Sequence, residues 1–168
     1  YHYCLNLGLH LQKIIDSSKE DLTFFSPESI QHMFGPNSSH IRQHSLRKFY
    51  MPSLKGFSIW HCTYQSSHYV PRRNRQIKVV LTIHDLNFLY EKKTESKRLK
   101  YLRHLQDNID RSDAIVCISE FCRKDVLIHC KTGNKPVHVI LNGTNTLKKP
   151  GLDNHSYKPD RPFLFSLG

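Results

Sequence analysis

The segment Lys78–Asp85 limits the possible folds of this chain more than any other segment. Its first six residues, Lys-Val-Val-Leu-Thr-Ile, are mostly β-branched or apolar, which is typical of a strand buried on both faces of a sheet. His84 and Asp85 follow this strand without a spacer. Because ligands of open parallel α/β sheets bind beyond the carboxyl ends of the strands, His84 is the first candidate for a functional side chain.

Predicted strands and helices alternate along most of the chain. Apolar runs at Gly56–Trp60, Ala114–Ile118 and Val137–Leu141 predict further strands. The apolar spacing of Thr94–Arg111 predicts a helix, and Ser119 is a suitable N-cap for a second helix. The inner side of the first helix is predicted to carry Leu99, Leu102, Leu105 or Gln106, and Ile109, and that of the second Phe121, Cys122, Val126 and Cys130. This alternation predicts an α/β fold: a Rossmann-like parallel sheet with right-handed crossovers and helices on both faces.

The N-terminal third of the chain has a less regular pattern. Residues 1 to about 16 have the apolar spacing of an amphipathic helix. Asp21–Phe25 predicts a short strand, and Ser45–Met51 predicts a second one. The apolar stripe of the predicted helix consists of Cys4, Leu7, Leu11, Ile14 and Ile15.

Residues 146–162 differ in composition from the rest of the chain. They are rich in Pro, Lys, Asp and Asn and contain few apolar side chains, which indicates a linker. Residues 163–168 return to an apolar pattern that is typical of a strand. We therefore expect a fragment with one domain over residues 1–145, a linker over 146–162, and the first strand of a truncated second domain over 163–168.

Polar residues follow each of four predicted strands. Since the carboxyl ends of parallel strands meet at one edge of a sheet, we expect these residues to surround a single cleft. They are His61, His84, Asp85, Ser119, Glu120, Asn142 and Gly143.

Several of these residues also have simpler structural roles. Asp85 is suited to accept backbone amides in the following turn, and Ser119 is suited to cap a helix. Asn142 and Gly143 are typical of a tight turn with positive φ. His61 fits a position in the cleft and a position that closes a loop equally well.

The chain has a formal net charge of +11, partly clustered around Arg72–Lys78 and Lys92–Arg103. An exposed helix face and a basic loop explain this clustering, and an anionic partner is the alternative. Nucleotide phosphates, a phospholipid surface and a lipid-linked pyrophosphate all fit the charge. No apolar run reaches the length of about 20 residues that a membrane-spanning helix requires.

The five cysteines include no CxxC pair. Their spacing does not match a zinc site, so we expect no metal, and free thiols in a reducing cytoplasm explain them best.

Five segments resemble the N-terminal domain of GT-B glycosyltransferases of family 4, also called group 1, several of which are bacterial mannosyltransferases. The segments are Ile59–His61, Val79–Leu86, Ala114–Phe121, Val139–Thr144 and Arg161–Gly168. The resemblance implies two Rossmann-like domains that face each other across a cleft. The N-terminal domain would mainly bind the acceptor, and the C-terminal domain would bind most of the nucleotide sugar.

The resemblance also implies an activity. We expect transfer of a hexose, such as mannose from GDP-mannose, to a glycan or lipid-linked acceptor in polysaccharide biosynthesis, with retention of configuration and without a cofactor or metal. The histidine that matches His84 lies in the cleft and contacts the donor sugar. Because the donor-binding domain would follow Gly168, we expect the fragment alone to be inactive. The expected location is cytoplasmic, with peripheral contact to the inner face of the membrane left open.

Two other classes of function remain open at this point. One is a non-enzymatic basic α/β module that binds nucleic acid or another anionic partner. The basic run Lys92–Arg103 contains few aromatic side chains and no recognisable RNA-binding motif, which disfavours nucleic acid. The other is a structural partner domain that binds neither sugar nucleotide nor nucleic acid.

Overall fold

The computed structural model describes residues 2–143. The helices are α1 (His2–Ile14), α2 (Glu28–Gln31), α3 (Glu95–Arg111) and α4 (Glu120–His129), and short 3₁₀ helices cover His32–Phe34, Ser45–Lys48 and Asn87–Leu89. The strands are β1 (Thr23–Ser26), β2 (Ser39–Arg42), β3 (Ile59–Cys62), β4 (Lys78–Ile83), β5 (Ala114–Cys117) and β6 (Val137–Val139). The predicted linker over 146–162 and the predicted strand over 163–168 lie outside the described residues.

The described strands form two parallel sheets. β1 pairs with β2, while β3, β4, β5 and β6 form a four-stranded sheet in chain order. Ile83 pairs with Cys117 and Cys117 pairs with Val139, so β4, β5 and β6 end at the same level of the sheet. The parallel, Rossmann-like α/β fold predicted from the sequence is confirmed.

One face of the four-stranded sheet is covered by α3 and α4. Val79, Leu81 and Ile83 alternate along β4 and are fully buried against this layer. The main partners contributed by the helices are Leu105, Ile109, Cys122 and Val126. This packing is the core of the domain and holds the carboxyl ends of the strands in place.

The predicted inner faces of α3 and α4 were partly wrong. Leu99 is 45% exposed and Phe121 is 62% exposed, although both were expected to face the core. Asn108 and Asp125 are buried instead. Both side chains have polar partners. The Asn108 amide donates hydrogen bonds to backbone carbonyls of the loop after β3, and the Asp125 carboxylate accepts a hydrogen bond of 2.6 Å from the Tyr90 hydroxyl.

A buried arginine at the end of α3 holds the loop that leads into β4. The Arg111 guanidinium donates hydrogen bonds to the backbone carbonyls of Pro71, Asn74 and Ile77 at 2.6, 2.6 and 3.0 Å. Asp113 lies 3.5 Å from it and also accepts the backbone N–H of Val79. Burial lowers the pKa of Arg111 and the carboxylate of Asp113 opposes that shift.

The N-terminal helix α1 and strand β1 confirm two predictions, whereas the predicted strand over Ser45–Met51 was wrong. Ser45–Lys48 is a 3₁₀ helix, and the second strand of the small sheet is β2, which was not predicted. The buried residue of α1 is Gly8, because the helix lies directly against Phe24 and Phe34. Ile14, assigned to the apolar stripe, is 77% exposed.

Strand β3 begins three residues later than predicted. Gly56 has φ +86° and lies in a turn in which the N–H of Phe57 donates to the carbonyl of Leu54. Because this turn places the strand at Ile59–Cys62, His61 lies inside β3 rather than after it.

Candidate functional site

His84 directly follows β4 and is held by the loop after β3. Its backbone N–H donates to Gln65 Oε1 at 3.1 Å, and its Nε2 lies 2.9 Å from the carbonyl oxygen of Thr63. A carbonyl oxygen only accepts hydrogen bonds, so Nε2 carries a proton, and in the neutral form of the ring Nδ1 is an acceptor. Within residues 2–143, Nδ1 has no hydrogen-bond partner.

Gln65 and Asn108 fix the loop that holds His84. Gln65 is 5% exposed, and its Nε2 donates to the carbonyl of Asp85 at 3.1 Å. Asn108 of α3 donates to the carbonyls of Gln65 and Ser67 at 2.9 and 3.0 Å. The chain of hydrogen bonds therefore runs from the helix core through Gln65 to the His84–Asp85 peptide.

Aromatic rings and a thiol lie beside the His84 imidazole. The Tyr3 ring of α1 meets it edge-on at 4.7 Å between centroids, and the Tyr64 ring lies 6.2 Å away. Cys4 Sγ and Thr63 Oγ1 are 3.1 Å apart, which brings the start of α1 to the same loop. Tyr64 is 52% exposed and gives the site an accessible flat apolar wall.

Asp85 and Ser119 lie at corresponding positions on neighbouring strand ends. Each comes two residues after the paired residues Ile83 and Cys117. Asp85 Oδ1 accepts the backbone N–H of Asn87 at 3.0 Å, and Ser119 Oγ accepts the N–H of Cys122 at 3.1 Å. The structural roles predicted for both residues are confirmed.

Glu120, Asn142 and Gly143 are exposed beyond the ends of β5 and β6. The Glu120 carboxylate lies in the first turn of α4, 3.5 Å from Arg123. Asn142 and Gly143 have no positive φ, so the predicted tight turn was wrong. The N–H of Ile140 still donates to the carbonyl of Cys117 at 3.0 Å, which continues the β5–β6 pairing past Val139.

His61 was expected at the edge with His84, and the structure places it elsewhere. It pairs with Val80 inside the sheet, three residues before the end of β4. Its Nε2 hydrogen-bonds with Thr82 Oγ1 at 2.8 Å, and Thr82 is fully buried. The residue as a whole is exposed, but partial desolvation of the ring lowers the pKa of His61, which favours the neutral imidazole.

The carboxyl edge of the sheet thus brings together His84, Asp85, Ser119 and Glu120, with Asn142 and Gly143 beyond the last strand. We call this set, without His61, the carboxyl-edge site. Residues 20–147 match the family model of Glycosyltransferase Family 4. The chain belongs to this family. No curated protein and no solved structure matches the chain.

Membership of Glycosyltransferase Family 4 confirms the predicted transferase class and the family that the five sequence segments resemble. Sequence reasoning missed Gln65, Asn108 and Tyr3 as parts of the site. The abundance of hydroxyl and aromatic side chains between Cys62 and Pro71 predicts a loop but does not single out Gln65.

Three further features concern metal binding, the cysteines and membrane-spanning helices. Within residues 2–143, no group of three or more His, Cys, Asp or Glu side chains is placed to hold a metal ion. All five cysteines are free, and burial raises the pKa of Cys130 to about 11. In the same range, no helix combines the length and apolar character needed to cross a bilayer.

Proposed function

We propose that this chain is the acceptor-side, N-terminal half of a GT-B glycosyltransferase. The enzyme would transfer a hexose from a nucleotide sugar to a glycan or lipid-linked acceptor with retention of configuration. Membership of Glycosyltransferase Family 4 supports sugar transfer in general. The observation that carries the proposal for this site is the His84 ring, which is fixed at the carboxyl edge with Nδ1 as an acceptor.

A fixed neutral imidazole suits the recognition of a sugar hydroxyl. The hydrogen bond to Thr63 sets the ring orientation and the tautomer, and the bond from the His84 N–H to Gln65 fixes the backbone. Nδ1 then accepts a hydrogen bond from a hydroxyl of the transferred sugar in one defined direction. Holding the sugar in a reactive orientation lowers the barrier by reducing the entropy lost in the transition state.

The other residues of the carboxyl-edge site provide acceptors and a binding wall. The Glu120 carboxylate is exposed beside Ser119, so it can accept a hydroxyl hydrogen bond from the acceptor glycan. Asp85 and Ser119 mainly hold the local backbone, with their second lone pairs directed to substrate hydroxyls. Asn142 and Gly143 would contact substrate through their exposed backbone groups.

The donor in this proposal is a nucleoside diphosphate sugar such as GDP-mannose. No metal ion or cofactor takes part in the transfer. The diphosphate leaving group develops charge in the transition state, which needs fixed donors or cations. We assign that task to a second, C-terminal domain with a nucleotide pocket. Residues 1–168 alone should therefore show no turnover.

A transfer assay with the full-length protein tests this function. GDP-mannose and UDP-glucose are supplied as donors with polyprenyl phosphate or an oligosaccharide as acceptor, and NMR determines the anomeric configuration of the product. The proposal expects a product with the donor's α configuration and an unchanged rate in EDTA. An inverted product, or a rate abolished by EDTA, would contradict the proposed mechanism.

A further inference from the structure

A basic hollow lies at the edge of the four-stranded sheet opposite the carboxyl-edge site. Residues 48–55 and 70–74 form a cavity of about 690 Å³. The first segment leads into β3 and the second leads into β4, so the cavity lies at the amino ends of these strands. It is therefore separate from the residues around His84.

The lining of this hollow carries positive charge without any carboxylate. Lys48, Lys55, Arg72 and Arg73 line it, and no Asp or Glu does. The sequence explains why, because the chain has no acidic residue between Glu28 and Asp85. The basic residues of this acid-free stretch are Arg42, Arg47, Lys48, Lys55, Arg72, Arg73, Arg75 and Lys78.

The basic side chains that line the hollow differ in their interaction partners. Arg72 donates to the carbonyl of Asp107 at 2.9 Å and to Asn108 Oδ1 at 2.7 Å, so it joins the loop to α3. Lys48 lies 6.0 Å from the centroid of the Tyr69 ring. Within the described part of the chain, Lys55 and Arg73 have no ion pair or side-chain hydrogen bond. Their charges are free to neutralise an external anion.

Large apolar side chains project beside these cations. Leu46, Phe49 and Tyr50 are 62%, 72% and 70% exposed. These three residues lie in one turn, because the N–H groups of Phe49 and Tyr50 both donate to the carbonyl of Leu46 at 3.0 Å. Exposed aliphatic and aromatic side chains surrounded by Lys and Arg are the combination that binds the headgroup region of an anionic bilayer.

We propose that residues 45–55 and 70–75 form a membrane-contacting surface that binds anionic phospholipid headgroups. Leu46, Phe49 and Tyr50 enter the acyl boundary, while Lys55 and Arg73 contact lipid phosphates. Nucleic acid would use the same cations, but an aliphatic side chain such as Leu46 has no stacking role on a base. This inference goes beyond sugar transfer and does not depend on it.

Vesicle co-sedimentation tests the surface. The protein is mixed with phosphatidylcholine vesicles, with and without a quarter of phosphatidylglycerol, over a range of salt concentrations. Binding should need the anionic lipid and weaken with salt. Each Lys or Arg near an anionic membrane strengthens binding about fivefold, so Lys55→Gln with Arg73→Gln should weaken it about 30-fold. The matched control is Lys97→Gln with Lys100→Gln, which removes equal charge from the exposed side of α3.

The control separates a defined surface from a general effect of net charge. Equal weakening by both double variants would overturn the proposal, as would binding that ignores the anionic lipid. Binding of a short RNA that is lost in the Lys55/Arg73 variant, together with no vesicle binding, would also overturn it in favour of a nucleic-acid surface.

A fluorescent reporter measures insertion independently. In the Trp60→Phe background, Tyr50→Trp should shift its emission to the blue and resist quenching by iodide when anionic vesicles are added. Tyr101→Trp in the same background is the control, since Tyr101 is an exposed aromatic on α3. A Tyr50→Trp spectrum that does not change with anionic vesicles would contradict the insertion of this turn.

Discussion

The two edges of the four-stranded sheet hold their polar groups in opposite ways. At the carboxyl edge, the His84 ring and the side chains of Asp85 and Ser119 all have short hydrogen bonds to the backbone. At the amino edge, the side chains of Lys55 and Arg73 have no such partners among the described residues. Fixed groups suit a ligand of defined shape, whereas free, long cationic side chains suit a diffuse anionic surface.

A side chain without a hydrogen-bond partner can still lie on a backbone segment that is held by hydrogen bonds. The loop before β4 that carries Arg73 is held by the buried guanidinium of Arg111 through three carbonyls. The loop before β4 therefore presents the charge of Arg73, which has no partner among the described residues, on a backbone held by hydrogen bonds. Substitutions can test that backbone support separately from the charges.

The largest effect is expected from Arg111→Ala. Loss of the guanidinium leaves three buried backbone carbonyls without their donor, which should lower the free energy of unfolding by about 3–5 kcal/mol. Asp113 keeps its ion pair with Lys78 at 3.1 Å. Urea unfolding followed by circular dichroism measures the change. Arg75→Ala, an exposed neighbour, should change stability by less than about 0.5 kcal/mol. A small effect of Arg111→Ala would mean that the loop is held by other contacts.

The next largest effect is expected at the carboxyl edge, from Gln65→Ala. This change leaves the His84 N–H and the Asp85 carbonyl unpaired, at a cost of about 1–3 kcal/mol for each buried group. Gln65→Glu keeps the side-chain shape and the oxygen that accepts the His84 N–H, but it loses the N–H that donates to the Asp85 carbonyl. In urea unfolding, the wild type should have a higher free energy of unfolding than both variants. Gln76→Ala serves as an exposed control. Stability equal to the wild type in both variants would show that the network does not hold the loop.

Gly8→Ala tests the helix that brings Tyr3 to the carboxyl edge. A Cβ at this position would lie 2.7 Å from a Phe34 ring carbon and 2.8 Å from a Phe24 ring carbon. These rings stack on each other at 4.0 Å, so they have little room to move. We expect Gly8→Ala to lower the free energy of unfolding by about 1–3 kcal/mol, although the same change at an uncrowded helix position is stabilising. Among the described residues, no atom lies within 4 Å of a Cβ added at Gly143, so Gly143→Ala should be neutral. Thermal unfolding of both variants measures the difference.

The smallest effect is a pH dependence from His61. Burial lowers its pKa below the usual 6.5, so the unfolded chain binds more protons than the folded protein below that pH. Stability should therefore fall as the pH drops through 6.5 towards the lower pKa of the folded state. His61→Gln keeps a polar group near Thr82 and should make the melting temperature less dependent on pH between 7 and 5. An unchanged slope would show that other groups cause it.

Much of the four-stranded sheet could be predicted because its signals are local. The apolar run of β4 and the N-cap at Ser119 place two strand ends at one edge, and α/β alternation makes the strands parallel. These local patterns were sufficient to place His84, Asp85, Ser119 and Glu120 together. The same reasoning placed β6 correctly but gave Asn142 and Gly143 the wrong backbone conformation.

The remaining features depend on contacts between distant parts of the chain. The turn at Gly56 shifts β3 and moves His61 into the sheet, and the apolar content of the segment did not reveal that shift. Asn108 lies on the inner face of α3 because its partners are carbonyls of a loop some forty residues earlier. No local pattern marks such a residue, so sequence periodicity alone could not have assigned the support of His84.

Steady-state transfer kinetics of His84→Ala in the full-length enzyme test the central claim most directly. His104→Ala is the matched control, because His104 also bonds a backbone carbonyl, that of Ser66, but projects from α3. We expect His84→Ala to lower kcat/KM about 10- to 100-fold with little change in melting temperature, while His104→Ala retains activity. Unchanged kcat/KM for a folded His84→Ala enzyme would contradict the assignment of the sugar-binding site to this edge of the sheet.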